Sequence, residues 1–347
     1  MIKVLVVDDS AVVREYLKHI LESDPEVRVI GAAEDGEAAV KFMENQTPDV
    51  ITMDINMPRM NGHEATRIIM ETNPVPIVIV SASYDRTDVE HSFRAIEAGA
   101  VAILEKPAGP RHQGFEAASK ELISTVKLMS EVRVVRRWPR GRMPRQASYE
   151  TDYFQSQPKN YKLVVIGAST GGPPVLQAIL SGIRREFPAP ILVVQHISKG
   201  FLEGMVDWLA QITELPISIA IDGEQLEPGH IYFAPDDFHT GIVNGGRIAL
   251  SKAEPENGTR PSVSYLFRSA LSVYGEDVIG ILLTGMGKDG ASELKSLRDR
   301  GAVTIAQDKE SSVVFGMPGE AVRLDGATFV LPPERIPGKL ESLVIKR

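Results

Sequence analysis

Residues 161–174 read Tyr-Lys-Leu-Val-Val-Ile-Gly-Ala-Ser-Thr-Gly-Gly-Pro-Pro. Leu163 to Ile166 is an apolar run of the length of a buried strand. Gly167 opens a tight turn, and Ser169 sits on it. Gly171 and Gly172 let the backbone come close to whatever binds there. Pro173 and Pro174 suit the first turn of a helix, where the missing N–H costs nothing. Strand, turn and helix in succession are the unit of a parallel α/β sheet. A serine on such a turn presents its hydroxyl at the end of the strand, facing the N–H groups of the helix start. That is how a serine nucleophile with oxyanion donors is built. A helix-capping serine and a phosphate-cradling loop fit the same residues, so the stretch alone leaves three readings open.

The chain downstream narrows them. Pro190 to His196 is a buried strand ending in His196, and Asp277 to Thr284 is another, followed by a glycine-rich turn that carries Met286 and Asp289. Between them, Phe201 to Ile212 reads as a helix. Pro216 to Ile221 and His230 to Ala234 read as strands, and Ser262 to Tyr274 as a helix. Ile242 to Leu250 has the pattern of a β-hairpin, with Asn244-Gly245 favouring a two-residue type I′ turn. A helix to about Arg300 and a strand over Ala302 to Gln307 complete an alternating pattern. Ser169, His196 and Asp289 therefore all fall at strand ends. A nucleophilic serine needs a base, and the base needs an acid to fix its tautomer. Asp289 also fits as a cap for the helix that follows it. A dinucleotide loop at Gly167–Gly172 is a poor alternative. The middle glycine of the fingerprint is Ser169, and the next strand ends in Gln195-His196 rather than an acid.

Upstream, residues 1–108 show a second alternating pattern. Strands over Ile2–Val7, Val27–Ala33, Asp49–Asp54, Pro76–Ser81 and Ala102–Leu104 alternate with helices. In such sheets the site lies at the carboxyl ends of the strands, where Asp8, Asp9, Asp54, Ser81 and Lys106 stand. Crowded carboxylates repel one another unless a divalent cation joins them, and all-oxygen ligation favours magnesium. Lys106 adds a charge suited to a phosphoryl group. Capping acids and a surface lysine would account for any one of these residues, less easily for all five together.

The 347 residues suit two domains. Residues 1–108 hold 10 Lys+Arg against 19 Asp+Glu, residues 109–160 hold 10 against 5, and residues 161–347 hold 18 against 22. The layout is an acidic head, a basic connector with six arginines between Arg133 and Arg145, and a mildly acidic body. A net charge of −8 argues against general nucleic-acid binding. A composition of 43% hydrophobic and 24% charged residues is ordinary for a soluble globular protein. No run reaches membrane-span length, and no signal peptide opens the chain. The absence of Cys fits a cytoplasmic setting and removes thiolate chemistry.

Residues 1–125 resemble a response-regulator receiver domain, a match extended by Met57-Pro58 and Asn61-Gly62. The resemblance implies a flavodoxin-like sheet in which Asp54 accepts a phosphoryl group from a histidine kinase. Asp8, Asp9, Asp54 and the Asn56 carbonyl would hold magnesium, with Ser81 and Lys106 on the phosphoryl oxygens. Ile103 departs from the aromatic residue usual at that position. Residues 161–347 resemble the catalytic domain of the chemotaxis protein-glutamate methylesterases, the CheB family. The motifs are Ile-Gly-Ala-Ser169-Thr-Gly-Gly-Pro, Val-Gln-His196, Arg260-Pro-Ser-Val-Ser-Tyr-Leu-Phe267, Leu-Leu-Thr-Gly-Met286-Gly-Lys-Asp289-Gly and Phe315-Gly-Met-Pro318. The chain departs at Ser264, where the family often has Asp, and at Gly258-Thr259, where a His often precedes the Arg-Pro pair. The expected architecture is two doubly wound parallel-sheet domains, a receiver at 1–125 and a Rossmann-like esterase with a hairpin at 161–347, joined by a linker over 126–160.

That resemblance implies phosphorylation-activated hydrolysis of glutamate γ-methyl esters on methyl-accepting chemotaxis receptors, with release of methanol, and deamidation of receptor glutamines. Ser169 is the implied nucleophile, His196 the base and Asp289 its orienting acid. Backbone N–H groups near Thr170 and Met286 are the implied oxyanion donors. No cofactor is implied for the esterase, and contact with a membrane comes only through the receptors. The unphosphorylated receiver, residues 1–125, is expected to cover the Ser169 site in part, and phosphorylation at Asp54 to uncover it. A phosphorylation-switched binding protein with an inactive α/β body is the reading from another class.

Overall fold

The computed structural model describes residues 1–81, 86–112, 114–132, 134 and 158–344, in two compact units, Met1–Gln157 and Pro158–Arg347. The arginine-rich run of the connector lies outside the described residues.

The first unit alternates β1 (Ile2–Val7), α1 (Ala11–Leu21), β2 (Val27–Ala33), α2 (Gly36–Asn45), β3 (Val50–Met53), α3 (Gly62–Thr72), β4 (Ile77–Ser81), α4 (Arg86–Ala98), β5 (Ala102–Glu105) and α5 (Phe115–Ser130). Short polar residues start three of these helices. Ser10, Asp35 and Asn61 each accept a hydrogen bond from a backbone N–H of the first turn. The five strands are parallel in the order β2-β1-β3-β4-β5. Chain direction across the sheet reverses between β1 and β3, and ligands collect at such a switch point. The helix α5 runs to Ser130 because Val126 and Met129 are buried on it. The connector therefore begins no earlier than Glu131, rather than at residue 126.

The second unit contains β6 (Leu163–Ala168), α6 (Gly172–Leu180), β7 (Ile191–Gln195), α7 (Leu202–Ala210), β8 (Ile217–Ile219), β9 (Ile231–Phe233), β10 (His239–Val243), β11 (Arg247–Ser251), α8 (Val263–Tyr274), β12 (Val278–Leu282), α9 (Ala291–Asp299), β13 (Val303–Gln307), α10 (Met317–Arg323), β14 (Phe329–Leu331) and α11 (Ile336–Leu343). Seven parallel strands run in the order β14-β13-β12-β6-β7-β9-β8. Every residue of β6, β7, β12 and β13 is buried. This is the signature of strands covered on both faces, and it is why they read as mostly apolar runs, broken only by the buried Thr304 and the terminal Gln195 and Gln307. The unit starts before residue 161, since Lys159 bridges to Val344.

The hairpin β10–β11 stands apart from this sheet, with Gly241 held against Tyr265 and Ser269 of α8. Its turn differs from the expected type I′. Val243 pairs with Arg247, which leaves a three-residue loop. The left-handed φ values fall on Gly245 and Gly246 and not on Asn244. With two consecutive glycines after Asn244, the chain had a cheaper place for the positive φ than Asn.

Candidate active site

The register of the sheet brings the first two residues together. Ala168 of β6 is paired with Gln195 of β7, so Ser169 and His196 follow at one level on adjacent strands, about 4.8 Å apart in the pairing direction. The backbone N–H of His196 donates to Ala168 O at 2.9 Å, and that of Ser169 to Thr284 O at 3.0 Å. Gly285 comes so close that a Cβ built on it would lie 2.7 Å from Ser169 Cβ. Three strand ends thus converge, as the sequence suggested.

Asp289 arrives on the loop after β12. Its Oδ2 lies 3.1 Å from His196 Nε2. The ring nitrogen is not yet aligned for a linear hydrogen bond, and catalytic contacts of this kind tighten when substrate binds. Asp289 is buried and richly solvated by protein donors. Oδ2 accepts from Val263 N at 2.7 Å. Oδ1 accepts from Asn257 Nδ2 at 2.9 Å, Ser262 Oγ at 3.0 Å and Ser264 N at 3.1 Å. Burial alone would push this carboxyl up. The His196 contact and the donors from Ser264 and Val263 overcome it and hold Asp289 well below the usual carboxylate range.

Two of those donors, Val263 N and Ser264 N, open α8. Asp289 therefore satisfies the start of α8, whereas α9, the next helix in sequence, has Gly290 at its N-cap and no side-chain cap. The expectation that Asp289 caps the following helix is corrected in this way. Two positions at which the sequence departs from the family, Ser264 and Thr259, belong to this cradle. Ser264 Oγ accepts from Gly290 N at 2.9 Å and donates to Glu293 Oε2 at 2.7 Å. Thr259 Oγ1 lies 3.4 Å from Asp289 Oδ2.

At the implied oxyanion site, the backbone N–H groups of Thr170 and Met286 are fixed from behind. In a planar trans peptide, the C=O and the next N–H point in opposite directions. Ser169 O accepts from Gly172 N at 2.8 Å and from Gln195 Nε2 at 2.9 Å, which turns Thr170 N–H the other way. Gly285 O accepts from Met317 N at 2.9 Å and Gly316 N at 3.1 Å, which does the same for Met286 N–H. The Phe315-Gly-Met-Pro318 motif thus has a structural task. A Cβ at Gly316 would lie 2.7 Å from Gly285 O. Among the described residues, no hydrogen bond takes up Thr170 N–H or Met286 N–H. Gln195 and Thr284 were missed in the sequence. Thr284 Oγ1 lies 3.0 Å from Thr170 O, and Thr284 N donates to Gln307 Oε1 at 2.8 Å. Both glutamines end apolar strands, a signal that could have marked them.

The first unit gathers its own cluster. Carboxylate oxygens of Asp8, Asp9 and Asp54 lie within 4.8 Å of one another. Lys106 Nζ is 2.9 Å from both Asp8 Oδ2 and Asp54 Oδ2. Ser81 stands beside it, with its carbonyl accepting from Lys106 N at 2.9 Å. Asn56, two residues after Asp54, is exposed. Burial, opposed by Lys106 and reinforced by Asp8, pushes the Asp54 carboxyl up to about 6. Gly62 lets α3 approach, since a Cβ there would sit 2.0 Å from Asp54 O.

Comparison with known proteins agrees with this geometry. The family described as CheB methylesterase matches residues 164–340, and the response regulator receiver domain matches residues 4–113. A Nitrosospira multiformis protein named protein-glutamate methylesterase/protein-glutamine glutaminase is 55% identical over 348 residues, covering 100% of this chain and 98% of its own. A Syntrophus aciditrophicus protein of the same name, number 1, is 54% identical, covering 99% of this chain and 98% of its own. The crystal structure of the Thermotoga maritima CheB methylesterase catalytic domain aligns with a TM-score of 0.52 at 42% identity, over 54% of this chain and 100% of that one. With a fold of two parallel α/β domains, strand ends that converge on Ser169, and relatives matched along their whole length, this chain belongs to the CheB methylesterase family and carries a response regulator receiver domain ahead of the catalytic one.

Proposed function

We propose that the chain hydrolyses γ-methyl esters of glutamate side chains on methyl-accepting chemotaxis receptors, releasing methanol, and deamidates receptor glutamines by the same route. Ser169 Oγ attacks the carbonyl carbon while His196 takes its proton. The oxyanion that forms is held by Thr170 N–H and Met286 N–H. His196 then returns the proton to the leaving oxygen, or to nitrogen for an amide, and an acyl-serine remains. Water attacks that acyl group with His196 again as base, restoring Ser169 and the free carboxylate. Asp289 orients the imidazole and stabilises its protonated form. The observation that carries the reading is the 3.1 Å approach of Asp289 to His196 on the strand end next to Ser169.

Control of the rate is assigned to the receiver. Asp54 is the proposed acceptor of a phosphoryl group from a histidine kinase, with Ser81 and Lys106 on its oxygens. Asp8, Asp9, Asp54 and the Asn56 carbonyl are the proposed holders of magnesium, which would neutralise charge at phosphoryl transfer. Three carboxylates against one lysine leave an excess of negative charge that such a cation fits. A cytoplasmic setting, with the membrane reached only through receptors, is part of the same proposal. The test is methanol release from receptor-bearing membranes, with and without a small phosphodonor. Release should rise with phosphodonor in the native chain and stay flat in Asp54→Asn. No release above background from the native chain would refute the proposal.

A further inference from the structure

The chemistry above uses Ser169, His196, Asp289 and two backbone N–H groups, and leaves Gln195 unassigned. Gln195 is the last residue of β7 and is buried, at 4% exposure. Its Nε2 donates to Ser169 O at 2.9 Å and to His196 O at 2.7 Å. One amide group thus ties the strand end that carries the nucleophile to the strand end that carries the base. We propose that Gln195 is a positioning residue for the esterase, one that aims the Thr170 N–H at the oxyanion by holding the carbonyl on the other side of the same peptide.

This role for Gln195 rests on the reading of Ser169 as nucleophile and Thr170 N–H as oxyanion donor. Four donors fix the two oxyanion peptides from behind: Gly172 N and Gln195 Nε2 on Ser169 O, Gly316 N and Met317 N on Gly285 O. Gln195 supplies the one side chain among them. A planar peptide has no freedom to turn its N–H once its C=O is held by two donors. Hydrogen bonds to that C=O also polarise the peptide and make its N–H a stronger donor. An oxyanion hole works because its dipoles are fixed before the reaction, so a donor that wanders loses most of its effect.

The surroundings are shaped for this amide. A Cβ on Gly172 would lie 2.0 Å from Gln195 Oε1 and 2.9 Å from its Cδ. Gly172 does not have a left-handed φ, so the glycine is there for the close approach and not for backbone conformation. Gln195 Oε1 is buried without a hydrogen-bond partner. A buried, unsatisfied oxygen costs stability. The two hydrogen bonds from Nε2, beside a glycine that admits the amide, offset that cost.

The test uses Gln195→Met in the full chain, a swap that nearly keeps the volume and removes both hydrogen bonds. Methanol release is measured against receptor-membrane concentration, without phosphodonor. The expected result is a kcat lower by about 10–100-fold, somewhat less than the loss of an entire oxyanion donor, with KM within about twofold. The acid limb of the rate against pH should stay where it is, because both lost hydrogen bonds are to backbone carbonyls and the His196 ring keeps Asp289 beside it. Gly172→Ala provides a second route, since it displaces the amide without altering it, and should give the same split between kcat and KM. If the two variants keep native turnover while Ser169→Ala is inactive, the inference falls and the triad stands. A loss carried by KM, or by a lowered folded fraction in thermal unfolding, also overturns it. Native turnover in Ser169→Ala would remove the underlying reading and this inference with it.

Discussion

Asp54 and Asp289 are the same side chain in nearly the same place. Each is buried on the carboxyl side of a parallel sheet, Asp54 directly after β3 and Asp289 on the loop that follows β12. Their carboxyls are nevertheless driven in opposite directions, Asp54 up to about 6 and Asp289 well below the ordinary range. Burial acts alike on both, so the difference lies in what faces the oxygens. Asp54 accepts from Ile55 N at 2.8 Å and shares Lys106 with a second carboxylate, Asp8. Asp289 has the N-terminal N–H groups of α8, Ser262 Oγ, Asn257 Nδ2 and His196. An under-solvated carboxylate is poised to react, whereas a fully solvated one is fixed. That fits a phosphoryl acceptor in the first unit and an orienting residue in the second.

The largest effects that would break this comparison are on turnover. Ser169→Ala and His196→Ala should each lower methanol release by about 10⁴–10⁶, because nucleophile and base act as a unit. Release within tenfold of native from either folded variant would remove the pair from the mechanism. Asp289→Asn should cost less, about 10²–10⁴, since this residue acts only through His196. It tests the claim that Asp289 is a fixed orienter. A loss as large as that of Ser169→Ala would mean that it does more than orient the base.

Legibility in the sequence followed periodicity and strand ends. Strands β6, β7, β12 and β13 were readable because both faces are buried, and helices α1, α2 and α8 because their apolar faces repeat. Ser169, His196 and Asp289 could be paired because each follows such a strand. The cradle of Asp289 was marked only at Ser264 and Thr259, as departures from the family, and its purpose was not legible. Asn257, Ser262 and Ser264 lie 25 to 32 positions away in sequence, and only the packing of α8 brings them in. Gln195 was hidden for the opposite reason. It sits inside a motif already spent on its neighbour, and its role depends on a carbonyl, which no sequence pattern marks. The hairpin turn was misread because Asn-Gly is a strong local signal, and the second glycine after it outweighed that signal.

The smallest predicted effect is on stability, and its sign separates the two carboxylates. Asp54 binds its proton more tightly in the folded chain than the ordinary value of about 3.9 allows. Between about pH 4 and 6 the folded state therefore holds more protons than the unfolded one, and stability falls as pH rises through that window. Above it the penalty is complete. The shift to about 6 sets an upper bound of about 3 kcal/mol. Asp54→Asn should thus raise the receiver's unfolding midpoint at pH 7.5 in metal-free buffer, and the gain should shrink toward zero near pH 4. Lys106 keeps Asp8 as a partner in that variant, so no buried charge is stranded. Asp289 has the reverse sign. Its depressed value contributes stability above the ordinary range, which is lost only as pH falls well below it, so Asp289→Asn should lower the body's midpoint at pH 7.5. Magnesium should raise the native receiver's midpoint and narrow its gap to Asp54→Asn, if the cation offsets the crowding of Asp8, Asp9 and Asp54. Thermal unfolding of the full chain across pH, with and without magnesium, measures all of this. A lowered receiver midpoint in Asp54→Asn at pH 7.5 would show that Asp54 is held by its neighbours as firmly as Asp289, and the contrast between the two sites would be lost.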